Sequence, residues 1–142
     1  MSAEHHILAQ VQDSFMRVLI VESRPELCAL WQRHLERHGM QVSCMTTQNA
    51  AMAYVAEYKV DIIILDLVIE GGSALAVSDF AALNQPDARI IFVTNTSFFS
   101  DGSIFGLAAN ARAFLPAGTP PEDLAVMVEH YGTQGRQFHA RS

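Results

Sequence analysis

Three stretches of the chain are unbroken runs of large, mostly β-branched apolar residues: Val18–Val21, Ile62–Leu65 and Ile90–Val93. Runs this short and this rich in β-branched residues predict strands buried on both faces, as in the middle of a parallel sheet. The strands they predict are Arg17–Ser23, Val60–Leu67 and Ala88–Asn95. Gln41–Thr47 alternates more, which suits a strand near a sheet edge, and Ala111–Leu115 is a short final strand. Helical spacing fills the gaps between them. Pro25–His38 places Leu27, Leu30, Trp31, His34 and Leu35 on one stripe, with Gly39 as the stop. Gln48–Tyr58 turns Ala51, Met52, Val55 and Ala56 inward, and a third helix capped by Ser73 reaches Asn84 with Leu75, Ala76, Phe80 and Leu83 inward. A fourth helix falls within Thr96–Asn110, where Gly102 and Gly106 each cost roughly 1 kcal/mol against alanine. Thr119-Pro120-Pro121-Glu122 starts a fifth, with Leu124, Met127 and Val128 inward and an end near Tyr131.

Five strand–helix pairs in strict alternation predict an α/β fold, a three-layer doubly wound five-stranded parallel sheet with right-handed crossovers. The expected organisation is an N-terminal arm over residues 1–15, one domain over 16–132 and a polar tail over 133–142. Ile7, Leu8, Val11 and Phe15 give the arm the spacing of a short amphipathic helix. A chain of 142 residues, 50% apolar and 17% charged, has the size and composition for one core. The formal charge of −6 and nine scattered basic residues speak against a nucleic-acid-binding face. No apolar run is long enough for a membrane span, and the first residues lack the basic and apolar regions of a secretory signal. Two cysteines without metal or disulfide spacing fit reduced thiols and a cytoplasmic location. His34 and His38 stand four apart, but with no further ligand they read as a helix face and a dipole partner.

Chemistry gathers at the strand ends. Three buried strands finish in oxygen-bearing side chains, Glu22, Asp66 and Thr94. In a parallel sheet all carboxyl ends share one edge, where ligand sites of open α/β folds lie. Two carboxylates brought together there repel unless a cation stands between them, and a hard oxygen-liking ion such as Mg²⁺ is the obvious candidate. Each of the three also has a plain reading as a loop or cap residue.

The element order and the spacing from Glu22 through Asp66 to Thr94 resemble the receiver domains of response regulators, over residues 17 to about 131. The resemblance implies a flavodoxin-like strand order 2-1-3-4-5. It implies that Asp66 accepts a phosphoryl group from a phosphohistidine on a sensor kinase or phosphotransfer protein. It also implies that Thr94 contacts that group, that Phe114 is the aromatic switch, and that Glu22, Asp66 and the backbone carbonyl of Val68 hold Mg²⁺. Ser23 stands where a second acid is usual, which weakens such a metal site. Ile69-Glu70 replaces the usual step after the acceptor, and Ala74 a glycine. Ala117 stands where the family has a lysine, and Gly118 where it has a proline. Losing that ammonium removes a charge-assisted partner worth on the order of 1.5–3 kcal/mol. Arg24, beside the site, is a candidate substitute cation, against a plain reading as a solvated helix start.

The expected function is therefore a stand-alone receiver in two-component or phosphorelay signalling. Asp66 either accepts a phosphoryl group there, or the domain is a degenerate, pseudo-receiver binding module. It is not an enzyme beyond autocatalytic phosphotransfer. Output is expected through a downstream protein on the face of the fourth helix, fifth strand and fifth helix, where Phe98, Phe99 and Phe105 cluster. Neither nucleic acid nor membrane is an expected partner, and homodimerisation is left open. The alternative is a small flavodoxin-like enzyme or cofactor-binding domain. The Glu22-Ser23-Arg24-Pro25 loop has no glycine for a phosphate cradle, no histidine lies between residues 39 and 129 to ligate a corrinoid, and no nucleophile–histidine pair suggests a hydrolase.

Overall fold

The computed structural model describes residues 15–94 and 111–141, with side chains described to Gly132. Five strands form one parallel sheet: β1 (Arg17–Val21), β2 (Gln41–Met45), β3 (Ile62–Asp66), β4 (Arg89–Thr94) and β5 (Ala111–Pro116). Their order is β2-β1-β3-β4-β5, as the resemblance to receiver domains implies. Among the described residues four helices connect or follow them: α1 (Pro25–Arg37), α2 (Gln48–Glu57), α3 (Ala74–Asn84) and α4 (Pro121–Arg141). The C-terminal α4 is the fifth helix of the sequence pattern. The fourth, with Phe98, Phe99 and Phe105, lies outside the described residues, as does most of the N-terminal arm.

The fully apolar runs are buried on both faces because each successive side chain enters a different core. On one face Leu19, Val21, Ile63, Leu65, Ile90 and Phe92 pack with α2 and α3 residues such as Val55 and Val77. On the other, Val18, Ile20, Ile62, Ile64, Ile91 and Val93 pack with Trp31 and Leu35 of α1 and with Leu124 and Val128 of α4. Alternation carries Glu22 and Asp66, the next positions in their series, to the α1 and α4 side of the sheet edge.

Helix ends follow the expected chemistry. The Thr47 hydroxyl accepts from the Ala50 N–H at 3.1 Å, and the Ser73 hydroxyl from the Ala76 N–H at 3.2 Å. Gly39, at φ +81°, takes the left-handed turn that closes α1. The inward faces differ from expectation. Leu30 is exposed while Cys28 is buried, Ala56 is exposed, and Leu83 is 85% exposed while Ala74, Val77 and Ala81 meet the sheet. Small residues let α3 lie close to the strands, so size, more than hydrophobicity, decides its buried face. Helix α4 also continues ten residues past Tyr131, through the stretch expected as a polar tail. Gly132 costs too little to end a helix that meets no proline. A side chain at Gly132 would meet the flexible end of Met16, which would have to move aside.

Candidate functional site

Strand pairing sets the edge. Val21 registers with Leu65, Asp66 with Val93 and Thr94 with Pro116. Glu22 and Asp66 thus leave neighbouring strands at the same level, and Thr94 ends the next strand one residue beyond the partner of Asp66. All three are buried: Glu22 is 0% exposed, Thr94 4% and Asp66 6%. The structure brings together the trio that the strand ends suggested.

Each position is held by backbone. The Glu22 N–H donates to Met45 O at 3.1 Å, and the Leu67 N–H to Val93 O at 2.9 Å. The Val68 N–H donates to Asp66 Oδ1 at 2.9 Å, fixing the carboxylate's rotamer with a charge-assisted bond. Val68 itself is 70% exposed, so the loop carrying its carbonyl lies open to solvent. Ser23 is committed elsewhere, its hydroxyl accepting from the Glu70 N–H at 2.7 Å and tying the β1 loop to the β3 loop.

The cation between the carboxylates is Arg24. Its Nε donates to Glu22 Oε1 at 2.6 Å and its Nη2 to Asp66 Oδ2 at 3.5 Å, while its backbone N–H reaches Glu22 Oε1 at 3.3 Å. A planar guanidinium suits this role because its donors form a fork that can serve two acceptors together. The second Glu22 oxygen, Oε2, is buried and has no hydrogen-bond partner. Burial, and after it the Asp66 carboxylate, pushes the Glu22 carboxyl up to about 7, with Arg24 pulling the other way. The contacts with Glu22 and Asp66 raise the already high Arg24 value further, so this cation does not titrate away.

The β4–β5 side keeps the frame without the charge. The Ala117 N–H donates to Thr94 O at 2.8 Å, and the Ala117 methyl packs on the α1 and α4 core. Phe114 is half-buried, registers with Phe92 and stacks with it at 6.2 Å between ring centroids. Among the described residues no group of three or more His, Cys, Asp or Glu side chains is placed to hold a metal ion.

The bridging arginine is what residue patterns alone did not supply. Arg24 was a candidate replacement for the lysine absent at Ala117; its grip on Glu22, two residues away, was not anticipated. A signal existed. Arg24 sits at the N-cap of α1, where Ser, Thr, Asp or Asn is favoured, and its side chain makes no capping bond.

Comparisons with known proteins agree with this fold. A receiver-domain protein of the response-regulator type (CheY-like) from Methanospirillum hungatei superposes with a TM-score of 0.80 at 21% identity, covering 87% of this chain and 98% of its own. The response regulator TrrA from Thermotoga maritima, solved in complex with Mg²⁺ and beryllofluoride, gives 0.72 at 21% identity over 82% of this chain and 99% of that one. A response regulator from Burkholderia pseudomallei, solved with a phosphorylated aspartic acid, a calcium ion and citrate, gives 0.72 at 21% identity over 89% and 72%. No curated protein matches the chain. At such identities the likeness shows the fold alone. The family follows from the model of the response regulator receiver domain, which matches residues 18–129, from the second residue of β1 into the middle of α4. The chain belongs to the response regulator receiver domain family of two-component signalling.

Proposed function

We propose that this receiver takes a phosphoryl group on Asp66 and passes the signal on by binding another protein. One observation carries the reading: Glu22, Asp66 and Thr94 lie buried at the ends of three adjacent strands, with Asp66 oriented by the Val68 N–H. Asp66 Oδ2, held only by the long 3.5 Å contact with Arg24, would attack the phosphorus of a phosphohistidine. The P–N bond breaks, and the leaving imidazole keeps the electron pair and takes a proton from solvent. Thr94, buried at the end of the next strand, would contact the transferred group. The donor is a sensor kinase or phosphotransfer protein, and the domain performs no chemistry beyond accepting and losing the group.

The downstream partner would dock on the face that β5 and α4 share with the fourth helix of the sequence pattern, using Phe98, Phe99 and Phe105, with Phe114 as the residue that responds. A cytoplasmic location suits such a partner, and no described helix is long and apolar enough to cross a membrane. Nucleic acid is not part of this reading, because the formal charge is −6.

For Mg²⁺, the Glu22 and Asp66 carboxylates and the Val68 carbonyl are right in kind, being hard oxygens. As arranged they do not fit the ion, because Arg24 already bridges the two acids and Ser23 adds no charge. No step above therefore passes through a metal.

A second reading has its own observation. Ala117 presents a methyl where an ammonium would pair with an aspartyl phosphate, which favours a binding module that does not switch strongly. The two separate cleanly on treating the protein with phosphoramidate and weighing it. A gain of one phosphoryl group that is lost in Asp66→Asn supports acceptance. No gain with phosphoramidate or a histidine-phosphorylated donor leaves the binding module.

A further inference from the structure

We propose that Arg24 is the resident cation of this site, a positioning residue that takes the place of a divalent ion and makes the unmodified receiver insensitive to Mg²⁺. The inference rests on reading Glu22 and Asp66 as the receiver's acidic site, but not on whether Asp66 is phosphorylated.

Four observations converge on it. The guanidinium touches both acids, at 2.6 Å to Glu22 and 3.5 Å to Asp66, so it occupies the bridging role an ion would take. The donor that could complete a metal's coordination from the β1 loop is Ser23, which is uncharged and already bonded to the Glu70 N–H. Arg24 is poorly suited to capping α1, whereas Thr47 and Ser73 cap α2 and α3 with their side chains. Its side chain therefore does something other than serve its helix. Finally, the Arg24 backbone N–H also bonds Glu22, so little chain entropy is lost in closing the clamp.

The electrostatics make arginine and metal competitors. With both carboxyls ionised, the two acids and one guanidinium sum to a single negative charge. Mg²⁺ binds such oxygens at about 2.0–2.1 Å in near-octahedral geometry and gives up its waters reluctantly. To enter, it must displace an arginine that cannot lose its proton, against like-charge repulsion at short range. With 43% of its side chain exposed, Arg24 can leave, but leaving forfeits a 2.6 Å charge-assisted bond to a buried carboxylate. The clamp also favours one loop geometry, with Glu22 held inward and the β1 and β3 loops tied together.

The test is read on the full-length, unphosphorylated protein. MgCl2 and MnCl2 are titrated while the Arg24 Nε–H resonance is followed by NMR and metal binding by thermal melting. The wild-type resonance is expected to stay in place through millimolar MgCl2, with no rise in Tm. Arg24→Ala is expected to gain Mg²⁺-dependent stabilisation, binding the ion at least about ten-fold more tightly than wild type, a change of 1.4 kcal/mol. Arg24→Gln, which keeps most of the side chain and drops the charge, is expected to do the same and covers the case in which Arg24→Ala folds poorly. Wild-type protein that binds Mg²⁺ as tightly as both variants, or an Arg24 resonance that collapses at sub-millimolar MgCl2, would overturn the proposal. Failure of phosphoryl transfer leaves all these outcomes unchanged, so the two readings fail separately.

Discussion

The two halves of the sheet edge share a backbone and differ in charge. On the β1–β3 side, two buried carboxylates are gripped by Arg24, from a loop that also ties Ser23 to Glu70. On the β4–β5 side, Thr94 and Ala117 keep a 2.8 Å backbone bond, but the side chain there is a methyl that joins the core. The fold thus preserves strand ends and loop anchors whatever the charges do. Position is set by sheet register, and electrostatics by single side chains that can appear on one side and vanish from the other. The cation at this edge stands in the β1 loop, where it meets Glu22 and Asp66, and the β5 loop offers only the Ala117 methyl.

That contrast can be broken at several depths. The deepest is the frame beneath both halves. Ile64→Ala removes a fully buried side chain from the central strand and is expected to cost about 2–5 kcal/mol in urea unfolding, more than any charge change at the edge. An effect smaller than that of the charge variants would show that the frame does not dominate.

Next comes pH. Glu22 titrates near 4.5 when unfolded and is pushed up to about 7 in the fold, so between those values the folded chain holds a proton that the unfolded chain has released. Stability should therefore be highest on the acid side of that window. In metal-free buffer it should fall as pH rises toward 7 and then level, by on the order of 2–3 kcal/mol in all. Glu22→Gln should flatten this slope, and parallel profiles for the two proteins would mean that Glu22 is not the group responsible.

Restoring the lost charge sharpens the comparison from the other side. Ala117→Lys should stabilise the beryllofluoride adduct of the domain by on the order of 1.5–3 kcal/mol, measured as a rise in Tm over the unliganded variant. No extra stabilisation would show that Arg24 already satisfies the added group. A smaller effect belongs to the helix cap on the loop after β3. Ser73→Ala removes the bond to the Ala76 N–H and should cost about 1 kcal/mol while leaving any phosphoryl acceptance unchanged.

The sequence revealed what depends on long runs and hid what depends on one side chain. Ile62–Leu65 and Ile90–Val93 are short unbroken runs of large, mostly β-branched residues, the pattern of a doubly covered strand, so the sheet and its carboxyl edge were legible. Glu22, Asp66 and Thr94 followed because a strand's end fixes where its last polar residue goes. Helix faces were harder. Leu30 and Leu83 look like core residues but are exposed, while Cys28, Ala74 and Ala81 fill the narrow space against the strands. Periodicity gives the stripe and packing volume chooses among its neighbours. The bridge made by Arg24 was hidden for another reason, since a long side chain at a helix start points to solvent by default. Only its unsuitability as a cap hinted otherwise.

The most direct test of the Arg24 bridge is a double-mutant cycle between Arg24→Ala and Asp66→Asn, measured by urea unfolding in metal-free buffer. Because Arg24 is partly exposed and the Nη2–Oδ2 distance is 3.5 Å, the expected coupling is modest, about 0.5–1 kcal/mol and favourable, shrinking at high salt. Strictly additive single mutants, with no coupling at low or high salt, would contradict the claim that Arg24 is the cation serving Asp66.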